Sequence, residues 1–204
     1  MTRKSKALPE RAEHVYLSSS VTVARYRELE GAYNRQEIAR FVGERFRERF
    51  LLPVLGGGDE CSESGLSGQK SGFAMMAIAC LMVETLEAFY QGLENTRNKS
   101  KQMFLDFFNR WEEFKDFRPV AEKFFYDIRC GILHQAETRN GWIIERVGKL
   151  YDPAHKAVNA TAFLKTLEIC LARYCTDLEA ADWYSERWVN FREKMKAICD
   201  NCVR

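Results

Sequence analysis

The stretch Ser71-Gly-Phe-Ala-Met-Met-Ala-Ile-Ala-Cys-Leu-Met-Val-Glu-Thr-Leu-Glu-Ala-Phe-Tyr-Gln-Gly-Leu93 is apolar nearly all round in its first half. A helix without a polar face belongs in the middle of a bundle, where neighbouring helices cover every side. The uninterrupted apolar run from Phe73 to Val83 is too short to span a bilayer, which needs about 20 residues, and Glu84 and Glu87 follow it directly. The stretch therefore predicts a buried core helix and no membrane anchor.

Amphipathic helices are predicted on both sides of this core helix, because apolar residues recur there at three- and four-residue spacing. The predicted segments are a helix around Val21–Leu29, Arg35–Leu52, Lys99–Phe117, Pro119–Glu137, Ala160–Ala180 and Trp183–Ile198. Asn34 and Asn159 are the predicted N-caps, and Pro53 is the predicted end of the first amphipathic helix. Asn140-Gly141 predicts a turn before a short β-ribbon near residues 142–151. The predicted fold class is all-α, a bundle of five or six helices.

The domain organisation is read as one domain over the 204 residues. Residues 1–34 are an N-terminal extension, 35–180 form the bundle and 181–204 form a C-terminal helix. The Gly- and Ser-rich stretch Gly56–Gly68 predicts a mobile surface loop. An aromatic stripe at helical spacing predicts core packing rather than a platform on which bases stack. That stripe consists of Phe104, Phe107, Phe108, Trp111 and Phe114.

The composition shows no bulk attraction to nucleic acid or to a membrane surface. The chain has 31 basic and 29 acidic residues, a formal net charge of +2, so any polyanionic partner must meet a local patch. Seven cysteines, an odd number, and an N-terminus without an apolar signal stretch predict a reducing, cytoplasmic location.

No metal or cofactor is predicted from the cysteine and histidine spacing. Cys199-Asp-Asn-Cys202 has the spacing of a metal knuckle, but a zinc site needs a second such pair. Glu84 and Glu87 resemble the carboxylates of di-iron bundles, which require a Glu three residues before a His. None of the three histidines has one.

Arg129 interrupts the apolar stripe of the predicted helix Pro119–Glu137. It lies four residues after Phe125 and four before Leu133, on the apolar face of the helix. An arginine in that direction costs several kcal/mol unless it is paired, although a long arginine can also reach outward to solvent. If Arg129 points inward, Glu84 is the predicted partner.

His134 lies five residues after Arg129, about one and a half turns further along the helix. In an ideal helix the two side chains point about 140° apart. Gly131 between them is expected to loosen the helix. Glu137 and Thr138, three and four residues on, are expected to orient the imidazole ring. Without further information, an unrelated helical scaffold in which both residues are only structural stays open.

The stretch Phe124-Phe-Tyr-Asp-Ile-Arg-Cys-Gly-Ile-Leu-His-Gln-Ala-Glu-Thr138 resembles the signature of HEPN domains. That superfamily carries an Arg, four to six intervening residues and a His on one helix of a small α-helical bundle. Arg129 and His134 match this pattern with four intervening residues. The resemblance covers about residues 35–180. It implies a metal-independent endoribonuclease or a catalytically silent relative that binds RNA, a nucleotide or a protein partner. Cys130 stands where active members often carry a polar residue, which keeps the silent relative open.

The resemblance implies that Arg129 and His134 are catalytic. The supporting residues are Glu84, Tyr126, Glu137 and Thr138. The chemistry is consistent, because RNA supplies its own nucleophile, the 2′-hydroxyl, a histidine transfers protons near neutral pH, and an arginine binds phosphate oxygens. The resemblance further implies a homodimer acting on RNA, in a toxin–antitoxin or phage-defence system with a cognate antitoxin or defence partner.

Overall fold

The computed structural model describes residues 14–55 and 71–203, and the predicted loop Gly56–Gly68 lies outside them. The protein is mostly helical with a small three-stranded sheet, so the all-α class with a short β element is confirmed. The helices are α1 (Val23–Gly31), α2 (Arg35–Phe46), α3 (Leu52–Leu55), α4 (Gly72–Gln91), α5 (Ser100–Arg110), α6 (Ala121–Phe124), α7 (Cys130–Gln135), α8 (Ala160–Ala180) and α9 (Glu186–Cys202). Wider π turns occupy Arg47–Leu51 and Phe125–Arg129, and a 3-10 helix occupies Glu112–Val120.

The apolar helix α4 lies at the centre of the bundle and packs against α5, α8 and α9. By length and hydropathy alone α4 is long enough to cross a membrane, but 61% of its most apolar window is buried inside the protein. Burial by three neighbouring helices satisfies an apolar surface that runs around most of the helix. The predicted core helix is confirmed.

The first and last described helices, α1 and α9, contribute to the same core as the central helices. Val23, Tyr26 and Leu29 of α1 are buried in the cluster that also holds Trp188 and Phe191 of α9. The segment predicted as an N-terminal extension therefore packs into the bundle over its described part. The predicted caps are confirmed, because Asn34 Oδ1 accepts from Glu37 N at 3.1 Å and Asn159 Oδ1 from Ala162 N at 3.0 Å.

The predicted single helix Lys99–Phe117 is wrong beyond Arg110. Trp111 is extended (φ −95°, ψ 116°), and the chain continues as the 3-10 helix Glu112–Val120. A straight helix would separate residues 108 and 117 by about 13.5 Å along its axis, yet the rings of Phe108 and Phe117 stack with centroids 5.2 Å apart. The break folds the chain back so that the aromatic rings pack on one another. All five residues of the predicted aromatic stripe are buried, as expected of core.

The predicted helix end at Pro53 and the predicted helix start at Pro119 both need correction. Helical winding continues past Pro53 to Leu55, because Pro53 stands in the first turn of α3, where a missing N–H is tolerated. Pro119 lies inside the 3-10 helix, and the next α-helical turn starts only at Ala121. The predicted helix Pro119–Glu137 is consequently α6, a π turn and α7 in succession, and it ends at Gln135.

The small sheet has the order β1 (Ile143–Glu145), β3 (Ala157–Asn159), β2 (Tyr151–Asp152). β1 runs parallel to β3, and β2 runs antiparallel to it. The ribbon predicted within 142–151 therefore did not include β3, the central strand of the sheet. This strand is short and leads directly into the N-cap of α8. The predicted turn is present, with Asn140 and Gly141 both at positive φ (53° and 75°).

Gly131 allows the chain to cross back over α7 after the helix ends. A Cβ at this position would lie 2.5 Å from the backbone oxygen of Glu137 and 3.3 Å from the Cα of Thr138. Close backbone approach therefore explains this glycine, instead of the loosened helix that the sequence suggested.

The substitution Gly131→Ala is expected to lower the free energy of unfolding by about 1–3 kcal/mol, because the new methyl group meets backbone that cannot move independently. Gly31→Ala is the matched control, since a Cβ there meets nothing within 4 Å, and it is expected to be neutral or to stabilise by up to about 1 kcal/mol. Urea denaturation of both variants measures the difference. Equal midpoints for the two would contradict the close approach at Gly131.

Candidate functional site

Arg129 is the last residue of the π turn Phe125–Arg129, and its guanidinium group points at α4. Its Nη2 lies 3.2 Å from Oε2 of Glu84, and the two side chains are 19% and 13% exposed. Glu84 is the first acidic residue after the apolar run of α4, so it meets the arginine at the edge of the core. The partner predicted from the sequence is the partner in the structure.

The second carboxylate oxygen of Glu84 is also engaged. Oε1 accepts hydrogen bonds from the hydroxyls of Thr96 and Ser100, the latter at 2.8 Å. The ring of Phe125 lies 5.5 Å from the guanidinium carbon, within the range of a cation–π contact. Arg129 is thus held in place, while its other N–H groups have no hydrogen-bond partner in the described part of the chain.

A small apolar pocket of about 200 Å³ opens beside Arg129. Its lining residues are Ala77, Cys80, Leu81, Ile132 and Leu133. Leu81 and Leu133 remain 50% and 59% exposed, so α8 and α9 do not cover this face, whereas Phe125 is buried. Burial raises the pKa of the Cys80 thiol far above its ordinary value, although Arg129 acts against the rise. Cys80 therefore behaves as a neutral, apolar side chain.

His134 lies in the last turn of α7 and is exposed. It makes no hydrogen bond or ion pair with any residue that the structure describes. Arg129 pairs with Glu84 beside the apolar pocket, whereas His134 is not among the residues that line that pocket. No hydrogen bond joins the two side chains in one chain.

The two residues expected to orient His134 have other partners. The carboxylate of Glu137 accepts from the backbone N–H of Thr138 at 2.9 Å, and the Thr138 hydroxyl donates to the backbone oxygen of Trp142 at 2.6 Å. The physical reason is that α7 ends at Gln135 and the next residue, Ala136, has a positive φ of 54°. Residues beyond it no longer follow helical spacing, so this expectation was wrong.

Glu84 and Glu87, whose spacing resembles that of the carboxylates in di-iron bundles, each pair with an arginine. Glu87 is fully buried and is bound by Arg110 Nη2 at 2.7 Å and by Gln91 Nε2 at 2.7 Å. Separate cations from separate elements thus neutralise the two acids. Within residues 14–55 and 71–203 no group of three or more His, Cys, Asp or Glu side chains is placed to hold a metal ion.

Asp127, which was not predicted as a site residue, organises the segment next to Arg129. Its buried carboxylate accepts from Asn140 Nδ2 at 2.8 Å and from Trp142 Nε1 at 3.1 Å, and its backbone oxygen accepts from Arg139 N at 2.9 Å. A buried carboxylate must find such donors. An acid between the apolar positions Phe124, Phe125 and Ile128 was the available signal. Tyr126, the remaining predicted supporting residue, is 46% exposed on the same π turn.

Comparison of the chain with protein-family models, with curated proteins and with solved structures finds no match. The resemblance to HEPN domains accordingly rests on the residues Phe124–Thr138 and on the order of the helices.

Replacing Glu84 with alanine is expected to lower the free energy of unfolding by about 3 kcal/mol, the lower part of the range for a broken buried pair. The substitution leaves Arg129 without its counter-charge and removes the acceptor of two hydroxyls. Glu168→Ala is the matched control, because Glu168 pairs with Arg47 at a similar distance of 3.2 Å but both side chains are more than 40% exposed. That control is expected to change stability by less than about 1 kcal/mol. Chemical denaturation measures the free energy of unfolding of both variants. A change below about 1 kcal/mol at both positions would mean that the Glu84 pair does not stabilise the fold.

Proposed function

We propose that the protein is a metal-independent endoribonuclease of the HEPN type that acts in the cytoplasm. The observation that carries the proposal is the arrangement at Arg129. Its guanidinium is held by Glu84 at the edge of an apolar pocket, with N–H groups left to bind a ligand. The exposed imidazole of His134, which has no partner among the described residues, stands five residues further along the same segment.

The proposed reaction begins when a neutral imidazole of His134 accepts the proton of an RNA 2′-hydroxyl. The 2′-oxygen forms a bond to the adjacent phosphorus, and the bond from phosphorus to the 5′-oxygen breaks. A protonated imidazole donates a proton to that leaving oxygen. The products are a 2′,3′-cyclic phosphate and a 5′-hydroxyl. Arg129 binds the non-bridging phosphate oxygens as charge builds on them.

A composite site across a homodimer would supply both proton-transfer groups. One chain offers one arginine and one histidine that diverge around a helix, whereas a two-fold partner brings a second pair opposite the first. Leu81 and Leu133, both about half exposed beside Arg129, provide apolar surface that such a contact would bury. We place the two-fold axis at this face.

A catalytically silent binding module for RNA, a nucleotide or a protein partner is the second candidate. The observation that favours it is the pairing of Arg129 with Glu84, which offsets the charge that would bind phosphate. The absence of an orienting partner for His134 in the described part of the chain also favours it. Metal-free cleavage of RNA separates the two functions.

The biological setting that we propose is a toxin–antitoxin or phage-defence system, with a cognate antitoxin or defence partner. The proposed setting is tested by identifying the genes next to the one that encodes this chain. A neighbouring nucleotidyltransferase or phage-defence gene would support the setting, and neighbours of unrelated metabolism would speak against it.

The His134→Ala variant is expected to cleave single-stranded RNA at least about 100-fold more slowly, the lower bound for a lost general acid–base. Cleavage by the unmodified protein should persist in EDTA and leave 2′,3′-cyclic phosphate ends, detected by mass spectrometry. His155→Ala is the matched control, since His155 is exposed in the β2–β3 connection and bonds only to Asp152 among described residues. Equal rates for the His134 variant and the unmodified protein would remove His134 from the site.

The dimer is tested by Leu81→Glu, which puts a charge on the proposed interface without touching His134. Light scattering of the unmodified protein should give twice the chain mass of 23.8 kDa, and the variant should give one chain mass and lose RNA cleavage. Ile169→Glu is the control, because Ile169 on α8 is similarly exposed but outside the pocket beside Arg129. A monomeric unmodified protein, with or without RNA, would reject the composite site.

A further inference from the structure

A second and larger cleft, of about 630 Å³, lies between the π turn and the small sheet. The residues that define it for this argument are Lys123, Tyr126, Asn140, Trp142, Tyr151 and Lys156. None of them lines the pocket beside Arg129. The two openings thus have separate linings, and both include residues of one short segment, residues 125–129.

The inner wall of this cleft is held rigidly. Buried Asp127 binds the side chains of Asn140 and Trp142, and the Trp142 ring stacks on Tyr151 with centroids 5.6 Å apart and an interplanar angle of 18°. Lys156 Nζ donates to the backbone oxygen of Asn140 at 3.1 Å. A wall fixed by hydrogen bonds and stacked rings can receive a ligand without first becoming ordered.

An aromatic ring stands exposed at the mouth of the cleft. Tyr126 is 46% exposed, although it belongs to a turn whose neighbours Phe125 and Ile128 are buried. The ammonium of Lys101 lies 5.8 Å from its ring centroid and is itself paired with Glu122 at 3.1 Å. π turns within helices occur frequently at functional sites, and this one presents a large flat surface to solvent.

Two ammonium groups flank the same opening. Lys123 makes no hydrogen bond or ion pair in the described part of the chain, and Lys156 uses one of its three donors on Asn140. Glu122 is the acidic residue at the rim, and Lys101 offsets its charge. The carboxylate of Asp127 is buried and occupied by its two donors. The accessible charge in the cleft is therefore positive.

We infer that this cleft binds one nucleotide, with its base stacked on Tyr126 and its phosphate bonded by Lys123 and Lys156. Every base has a π face, so an exposed ring beside cations suits a nucleotide irrespective of its sequence. The nucleotide either belongs to an RNA strand, a source that rests on the proposed function, or is a free mononucleotide.

The geometry connects the cleft to Arg129. Tyr126 and Arg129 belong to the same π turn. Consecutive residues of α5 contact Tyr126 and the partner of Arg129, because Lys101 lies over the Tyr126 ring and Ser100 donates to Glu84. An RNA strand anchored in the cleft would lead past α5 toward the guanidinium.

The test measures binding of a fluorescent, short 2′-O-methyl oligoribonucleotide to the full chain by anisotropy. The methyl group blocks the 2′-hydroxyl nucleophile, so binding is read without cleavage. Tyr126→Leu is expected to weaken binding about tenfold, a typical loss for one base–aromatic stack, while Tyr126→Phe keeps the ring and the affinity. Tyr184→Leu is the matched control, because Tyr184 is exposed between α8 and α9, outside the cleft. Thermal melting confirms that each variant is folded.

Adenosine monophosphate, titrated in parallel, identifies the source. Tyr126-dependent binding of the oligoribonucleotide alone assigns the cleft to RNA, and Tyr126-dependent binding of the mononucleotide assigns it to a free nucleotide. A folded Tyr126→Leu variant that binds both probes like the unmodified protein would overturn the inference, as would an unmodified protein that binds neither. Tyr126-dependent binding by a protein that never cleaves RNA would support the cleft and reject the endoribonuclease.

Discussion

The covering of α4 is the constraint on which the rest of the structure depends. Its first half is apolar on nearly every side, so three helices, α5, α8 and α9, must pack around it. Its second half carries Glu84 and Glu87, and acids at the edge of a core require cations. Arg129 and Arg110 supply them from different parts of the chain. These ion pairs fix where the segment with Arg129 meets α4.

The segment from Phe125 to Trp142 then acquires its shape from a second set of contacts. The wider winding of residues 125–129 directs Arg129 to Glu84, while Asp127 binds the returning chain through Asn140 and Trp142. Gly131 leaves room for that return. One short stretch thereby contributes to an apolar pocket with a guanidinium and to a separate cleft with lysines and a tyrosine. The proposed catalytic site and the proposed nucleotide cleft both use surfaces that form when the chain folds back between Phe125 and Trp142.

The apolar surface beside Arg129 is too small to hold the proposed dimer together by itself. Leu81 and Leu133 are each about half exposed, so burying the remainder gains on the order of 1 kcal/mol per side chain. Four such side chains across a two-fold axis offset at most the lower part of the association cost, about 4–15 kcal/mol. The proposed interface therefore has to extend beyond these leucines, and an RNA strand bound to both copies would add to its stability.

Apolar spacing by itself determined the helical class, the burial of α4, the aromatic core and the caps Asn34 and Asn159. It also identified Glu84 as the partner of Arg129, because a buried cation and an acid at the end of an apolar run have few other solutions. Apart from that ion pair, these features depend on a residue and its neighbours within one or two turns. The resemblance of residues 124–138 to HEPN domains likewise came from the sequence and stays a proposal.

Tertiary structure alone decided where the chain departs from regular helix. The extended Trp111, the π turn at 125–129, the winding past Pro53 and the strand β3 were not predicted. Each departure allows contacts between residues far apart in sequence, such as the stacking of Phe117 on Tyr151 or the binding of Trp142 by Asp127. Periodicity records which side of a helix is buried, but, except where a buried charge such as Arg129 restricts the choice of partner, it carries no information on which distant group will be there. For the same reason, only the folded chain could reveal that His134 is exposed while Arg129 is held against α4.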